Sequence, residues 1–357
     1  MNFGPHHSRL GWDRWILVPV ALLSVLGLIV LYSASYGEGS TFFMRQLVWL
    51  AVAAVAFFWA ASMDLMRWQR RAVAFYLLCL ALLVVTLFWP RAGRPASRWI
   101  ALGPVSLQIS EFTKLALLLI LAEIFSHSRV PEMGIRDFAL VLMLVALPAF
   151  LVARQPDLGT ALVLVACGFT LFAFLPLPRQ WWLGLLAIGL LGGSFVWVNM
   201  HDYQMNRIRA FLNPEAYRFR EAWHATQSTI AVGSGGWRGK GYLRGTQNQW
   251  DFISENHNDF IFTTVAEEFG LLGGVVVLGL FGMVILRGYR LAQLERRVFV
   301  AVLKLGLATL MLLQVFVNVG MVTGVLPVVG ISLPYFSYGG SSLVTFAIVA
   351  GVLANRR

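Results

Sequence analysis

The residues able to do chemistry are few, and they sit at the edges of apolar runs. Residues 256–268 read Asn-His-Asn-Asp-Phe-Ile-Phe-Thr-Thr-Val-Ala-Glu-Glu, where a long polar segment meets an apolar one. A carboxylate at that junction, Asp259, facing an outer cavity, suits a general base that takes the proton of an attacking hydroxyl. An acid there also suits a plainer role. A helix starting near Asn258 puts Asp259 in its first turn, where unpaired N–H groups and the helix dipole favour an anion. Glu111 and Lys114 lie three apart in another apolar run and so share a helix face. Lys114 would stand roughly 10 Å below the outer membrane edge. It either neutralises Glu111 locally or reaches across to Asp259 and orients that carboxylate. Charge at such depth is costly and turns toward a cavity or a partner.

Other polar groups are read the same way. Arg154 and Asp157 flank Pro156 in a very short turn, which is either part of a site or a screened ion pair. Glu267 and Glu268 are consecutive and cannot share one face; they are interfacial anchors, or one of them is buried. Lys304 is expected to snorkel to the inner interface. Residues 326–342 carry many Pro, Gly and Ser. Such backbone is tolerated at membrane depth where protein buries it or where it lines a wet cavity. The segment is read as a re-entrant wall of the site, with a simple turn as the alternative. Cys79 and Cys167 lie inside apolar runs, which gives neither a disulfide framework nor a cysteine metal site.

The elements that must position these groups follow from composition. Of 357 residues, 58% are hydrophobic and 13% charged, about half the charge of an ordinary soluble domain. The chain is expected to be an all-α polytopic membrane protein with about ten transmembrane helices, at 15–33, 44–62, 72–90, 107–125, 138–153, 158–175, 181–199, 268–286, 298–323 and 340–354. The runs are continuously apolar, without the alternation of a lipid-facing strand. Reading 15–32 as a signal peptide, cut near Ser33, Ala34 and Ser35, is the alternative for the first run; it spoils the even number of spans.

If the N-terminus is cytoplasmic, about fourteen arginines fall inside, Arg67, Arg70, Arg71, Arg287, Arg290, Arg296 and Arg297 among them, against about five in the short outer segments. Both termini are therefore placed in the cytoplasm. The net charge of +11 has its explanation in this clustering between spans, and nucleic acid is not expected as a partner. Residues 200–258, between helices 7 and 8, form one large extracytoplasmic loop inside a single domain of residues 1–357. Its aromatics, such as Phe211, Trp223 and Trp237, argue for order. Its glycines from Gly233 to Gly241 argue for tight turns, and short helices are expected in it.

Five motifs in order resemble the SEDS family (shape, elongation, division and sporulation) of membrane peptidoglycan glycosyltransferases. They are Ser110-Glu111-Phe112-Thr113-Lys114-Leu115-Ala116; Arg154-Gln155-Pro156-Asp157-Leu158-Gly159-Thr160; Gly235-Gly236 with Gly239-Lys240-Gly241; His257-Asn258-Asp259-Phe260-Ile261-Phe262 with Ala266-Glu267-Glu268-Phe269-Gly270; and the Pro334–Ser342 run. The short N-terminus and Leu326-Pro327-Val328-Val329-Gly330 look more like the rod-elongation members than the division members. Ile109 and Asn258 depart from the family's usual Pro and Thr or Ser, and neither departure removes an ionisable group.

The resemblance implies polymerisation of lipid II into β-1,4-linked glycan strands on the outer face of the cytoplasmic (inner) membrane. It implies Asp259 as general base and Lys114 as its partner. Arg45, Arg98, Glu111, Arg154, Asp157, Lys240, His257, Ser337 and Ser341 are then candidates for substrate binding. Arg45, Arg98, Arg154, Lys240, Arg207, Arg209 and Arg244 are the candidates for stabilising the leaving pyrophosphate, with Arg98, beside Trp99, and Arg45 the first choices. A class B penicillin-binding protein transpeptidase is the implied partner. No cofactor is evident; a divalent cation could bridge the pyrophosphate, but no ligand cluster demands one. The main alternative is a flippase or transporter of lipid-linked precursors. Transport calls for polar groups along a whole path, whereas these crowd the outer third; a non-catalytic scaffold leaves Asp259 and Lys114 unexplained.

Overall fold

The computed structural model describes residues 11–36, 41–88, 98–102, 105–127, 134–174, 181–186, 189, 193, 200, 202–217, 223–246 and 258–356. Its helices are α1 (Arg14–Ala34), α2 (Thr41–Ser62), α3 (Leu65–Phe88), α4 (Ile109–His127), α5 (Ile135–Arg154), α6 (Leu158–Phe174), α7 (Asp202–Leu212), α8 (Trp223–Ser234), α9 (Ile261–Leu294), α10 (Val298–Val322) and α11 (Gly340–Ala354). By length and composition α1, α2, α3, α5, α9 and α10 can each cross a membrane, and α6 and α11 are shorter apolar helices. The expected span at 181–199 lies largely outside the described residues, with 181–186 helical. The other expected spans each coincide with a described helix. Helices α7 and α8 are the short helices expected in the outer loop.

The central helices are those buried on nearly every side. In α4 almost every residue from Ile109 to Ala122 is buried, and α11 is buried along nearly its whole length, as a helix apolar all round must be. Helix α11 packs most extensively on α2, α4 packs on α3 and α10, and α9 packs on α1 and α10. Small residues set the closest approach. A Cβ on Gly351 of α11 would stand 2.5 Å from the Phe57 carbonyl oxygen of α2, so these two backbones touch.

Before α4 the chain makes an antiparallel hairpin, β1 (Trp99–Leu102) and β2 (Val105–Gln108), with Trp99 opposite Gln108. The sequence reading begins a helix at Leu107 and misses this hairpin, because strands of four residues are too short to show a period. The hairpin is fastened to the bundle where the Gln108 amide donates to Ser341 Oγ at 2.9 Å.

At the other end the two chain ends meet. The Asp13 amide donates to the Ala354 carbonyl at 2.9 Å, and Trp12 and Asn355 form an antiparallel bridge. The Asp13 carboxylate caps α1 through the Trp15 amide and receives Arg287 and Arg356, each at 2.7 Å. Lys304 does not snorkel. It is buried, donates to the Asn355 carbonyl at 2.9 Å and has the Glu295 carboxylate 3.9 Å away, so its charge is met within the protein.

Burial pushes the Asp13 carboxyl up, but the two guanidinium groups more than offset it and hold the carboxyl below its ordinary 3.8. The stabilisation is therefore complete above that ordinary value and is lost as the pH falls through the lower folded one. Replacing Asp13 by Ala leaves two arginines facing each other, at a cost of about 3 kcal/mol. Thermal unfolding of detergent-solubilised Asp13→Ala, compared with the parent from about pH 3 to pH 7, should show a lower midpoint at neutral pH and convergence in acid.

Candidate active site

The Asn258–Phe260 turn enters α9, whose first residue is Ile261. Asp259 thus lies just before the helix rather than in its first turn, and is half-buried. Its backbone is fixed from two elements. Ser337 Oγ donates to the Asn258 carbonyl at 2.7 Å, and Asn318 Nδ2 of α10 donates to the Asp259 carbonyl at 2.9 Å. Asn318 Nδ2 also donates to the Ile331 carbonyl at 2.6 Å, which ties the turn to the 327–339 segment. That segment is the re-entrant wall expected from its Pro, Gly and Ser content: irregular backbone packed among helices, with Ile331 and Leu333 to Ser337 buried. Gly330 has φ +73°, and a Cβ there would stand 3.2 Å from Asp259 Oδ2. Glycine lets the wall lie against the carboxylate.

Lys114 is buried, and its ammonium donates to Glu111 Oε1 at 2.8 Å and to Gln314 Oε1 at 3.3 Å. The expected direct pairing of Lys114 with Asp259 is replaced by the local pair with Glu111, which the i,i+3 spacing also allowed. The link to Asp259 is indirect. Gln314 Nε2 donates to the Ser332 carbonyl at 3.0 Å, one residue from the carbonyl that Asn318 holds. Gln314 and Asn318 are one turn apart on α10 and grip the wall together.

The other candidates separate by their engagements. Arg98 donates Nε to the Gln155 carbonyl at 2.8 Å and Nη2 to the Pro156 carbonyl, so it braces the 154–157 turn. Asp157 is buried, accepts the Thr160 amide at 3.1 Å and Gln108 Nε2 at 3.2 Å, and caps α6 instead of pairing with Arg154. Arg154 is exposed, 5.3 Å over the Phe150 ring. Ser341 holds β2, and Ser337 holds the Asn258 carbonyl. Arg45 is exposed near the start of α2. His257 lies outside the described residues.

Lys240 donates to Glu267 Oε1 at 2.6 Å and to Thr246 Oγ1 at 2.8 Å. Glu267 and Glu268 are 0% and 1% exposed, so neither anchors at the interface. Helix α9 breaks at Gly270 (φ +66°), and the glycine loop enters the break. The Lys240 and Gly241 amides donate to the Glu267 and Glu268 carbonyls at 2.9 and 3.0 Å, and the Leu271 amide donates to the Gly236 carbonyl at 2.8 Å. A Cβ on Gly235 or Gly239 would collide with α9 backbone, so only glycine permits this approach. Ser33 of α1 donates to Glu268 Oε1 at 2.5 Å.

The model of the family described as FTSW_RODA_SPOVE, cell cycle protein, matches residues 13–357. The chain belongs to the FtsW/RodA/SpoVE family. It is 37% identical to the peptidoglycan glycosyltransferase MrdB of Escherichia coli K12, over 98% of this chain and 97% of that one. It is 34% identical to the probable peptidoglycan glycosyltransferase FtsW of Trichlorobacter lovleyi, over 96% and 92%. Among solved structures, a chain from a peptidoglycan synthase complex that coordinates polymerization and crosslinking superposes with TM-score 0.82, at 31% identity over 96% of this chain and 97% of that one. The crystal structure of the rod shape determining protein RodA of Thermus thermophilus superposes with TM-score 0.72, at 29% identity over 97% and 96%. The family read from the five motifs is the one found.

Within this family fold, the sequence reading missed Gln314 and Asn318. Two amides four residues apart in the second half of a largely apolar span were the available signal. Replacing Asn318 by Leu keeps the bulk but leaves the Asp259 and Ile331 carbonyls without their donor, at about 1–3 kcal/mol for each buried group. Hydrogen exchange should then quicken at amides from Asp259 to Thr263 while the α4 core stays protected; unchanged protection at the turn would contradict this account of the site.

Proposed function

We propose that this chain polymerises lipid-linked peptidoglycan precursor with Asp259 as the general base, at the end of the bundle opposite the joined chain ends. The chain is a peptidoglycan glycosyltransferase, the activity for which its relatives are named, and its likeness to MrdB and RodA fits cell elongation and rod shape. The observation that carries the mechanism is the fixed, half-exposed Asp259 turn. In the reaction the 4-hydroxyl of an acceptor GlcNAc attacks the anomeric carbon of a lipid-linked MurNAc. The new C–O bond forms as the bond to pyrophosphate breaks. The hydroxyl proton passes to the Asp259 carboxylate, and the electron pair leaves on the pyrophosphate oxygen, with inversion to a β-1,4 linkage. A hydroxyl is a poor nucleophile until its proton is taken, whereas pyrophosphate leaves without a strong acid, so one carboxylate suffices for proton transfer.

Lys114 takes a positioning role. Its charge is matched by Glu111, and it acts on Asp259 through Gln314 and the wall. This arrangement suits a base, because an ammonium directly on Asp259 would lower its basicity. The contact between Asp13 and Ala354 supports one side for both ends, and the arginine distribution supports the cytoplasm as that side. The site then faces outward in the cytoplasmic membrane. A class B penicillin-binding protein is the proposed crosslinking partner, supported by the likeness to a chain of a synthase that couples the two reactions.

Purified protein with labelled lipid II should make glycan ladders that Asp259→Asn reduces by roughly 100-fold or more. Gly330→Ala, which crowds the carboxylate from a strained φ, should lower the rate without loss of fold. Ladders of parental yield from Asp259→Asn would refute the base, and lipid scrambling in vesicles without polymer would favour the flippase.

A further inference from the structure

An open cleft of about 320 Å³ lies between α7, α8 and the turn that begins the wall. Its sides are apolar at Phe211, Leu326 and Pro327, with Thr226 on the α8 side and Arg207 at the edge. Arg207 is exposed and uses one N–H, on the Val328 carbonyl at 3.3 Å. The rest of its planar fork is left for a ligand, and such a fork matches phosphate oxygens. Val328 is two residues from Gly330, whose backbone lies against Asp259 Oδ2, a stretch of about 7 Å at full extension. The cleft and the proposed base are therefore joined by a few residues of one wall.

We infer that this cleft seats the pyrophosphate-linked sugar of the donor, with Arg207 holding the pyrophosphate as it leaves. The inference rests on the glycosyltransferase reading above and assigns it a leaving-group subsite. In an inverting displacement the leaving oxygen departs from the side opposite the attacking hydroxyl. The cation that stabilises it therefore belongs across the anomeric carbon from the base, where negative charge develops. Arg207 is tied to the wall at the Val328 carbonyl, two residues along the chain from Gly330, which lies beside Asp259. Lys114 is buried against Glu111, Lys240 is bound to Glu267, and Arg98 braces backbone carbonyls. Apolar walls suit the C–H face of a sugar ring, and an arginine at the edge fixes its orientation, the usual division of labour in a small-molecule site.

The test uses full-length protein in the Asp259→Asn background, so that binding is measured without turnover, in nanodiscs of phosphatidylcholine with fluorescent lipid II as probe. Arg207→Ala should raise Kd roughly tenfold or more, and Arg207→Lys should restore part of the loss. Thr226→Trp, which fills the cleft but keeps the guanidinium, should weaken binding comparably. Arg238→Ala removes an exposed cation of the same outer loop and should stay within about twofold. Undecaprenyl pyrophosphate should compete in the Arg207 protein and fail to do so against Arg207→Ala. Equal Kd values for Arg207→Ala and Arg238→Ala would overturn the inference. So would phosphatidylglycerol competing as well as undecaprenyl pyrophosphate, which would make Arg207 a general headgroup contact. Should Asp259→Asn still polymerise, the base reading would fall while the binding comparison retained its meaning.

Discussion

Irregular backbone inside a bilayer must find its hydrogen bonds within the protein, and this constraint organises the half of the molecule around Asp259. The Asn258–Asp259 turn and the 327–339 wall have no ladder or helix of their own. Ser337 and Asn318 serve their carbonyls, and Gln314 serves Ser332. The donors come from helix α10 and from the wall itself, so backbone hydrogen bonds fix the turn that carries the carboxylate. The Glu111–Lys114 pair follows from the same constraint. An ammonium at this depth requires a counter-charge, and an acid one helical turn away provides it with little loss of side-chain freedom.

A second arrangement answers the same constraint where α9 breaks. Opening a helix at Gly270 frees backbone groups, and the 235–241 loop supplies partners for them. The glycines are required by space, since the loop backbone lies directly on the helix backbone. Lys240 neutralises Glu267 in the same stroke, and Ser33 brings α1 onto Glu268. A motif that resembles a substrate-binding sequence is here, first of all, the means by which the outer loop is docked to the bundle.

The two ends of the bundle differ in kind. At the chain ends Asp13, Arg287 and Arg356 form a closed ionic cluster whose charges are mutually engaged, and Lys304 is held by a carbonyl. At the opposite end Asp259 is only half-buried, and Arg207 is exposed and gives one N–H to the Val328 carbonyl. The closed cluster joins helices.

The sequence alone determined the helical membrane architecture and the family, and it singled out Asp259 as the candidate base. Apolar runs of bilayer length have one stable backbone solution, and motifs such as His257–Phe262 are local in the chain. The short helices in the outer loop and the irregular wall were legible for the same reason, in aromatic content and in Pro and Gly placement. Only the tertiary structure decided the partners. Lys114 could meet Glu111 or Asp259; Arg98 and Lys240 could face phosphate or protein; Gln314 and Asn318 looked like minor polar residues in an apolar span. Each choice depends on which helices are neighbours and on their rotation, a matter of distances across the bundle that spacing along a single chain does not encode.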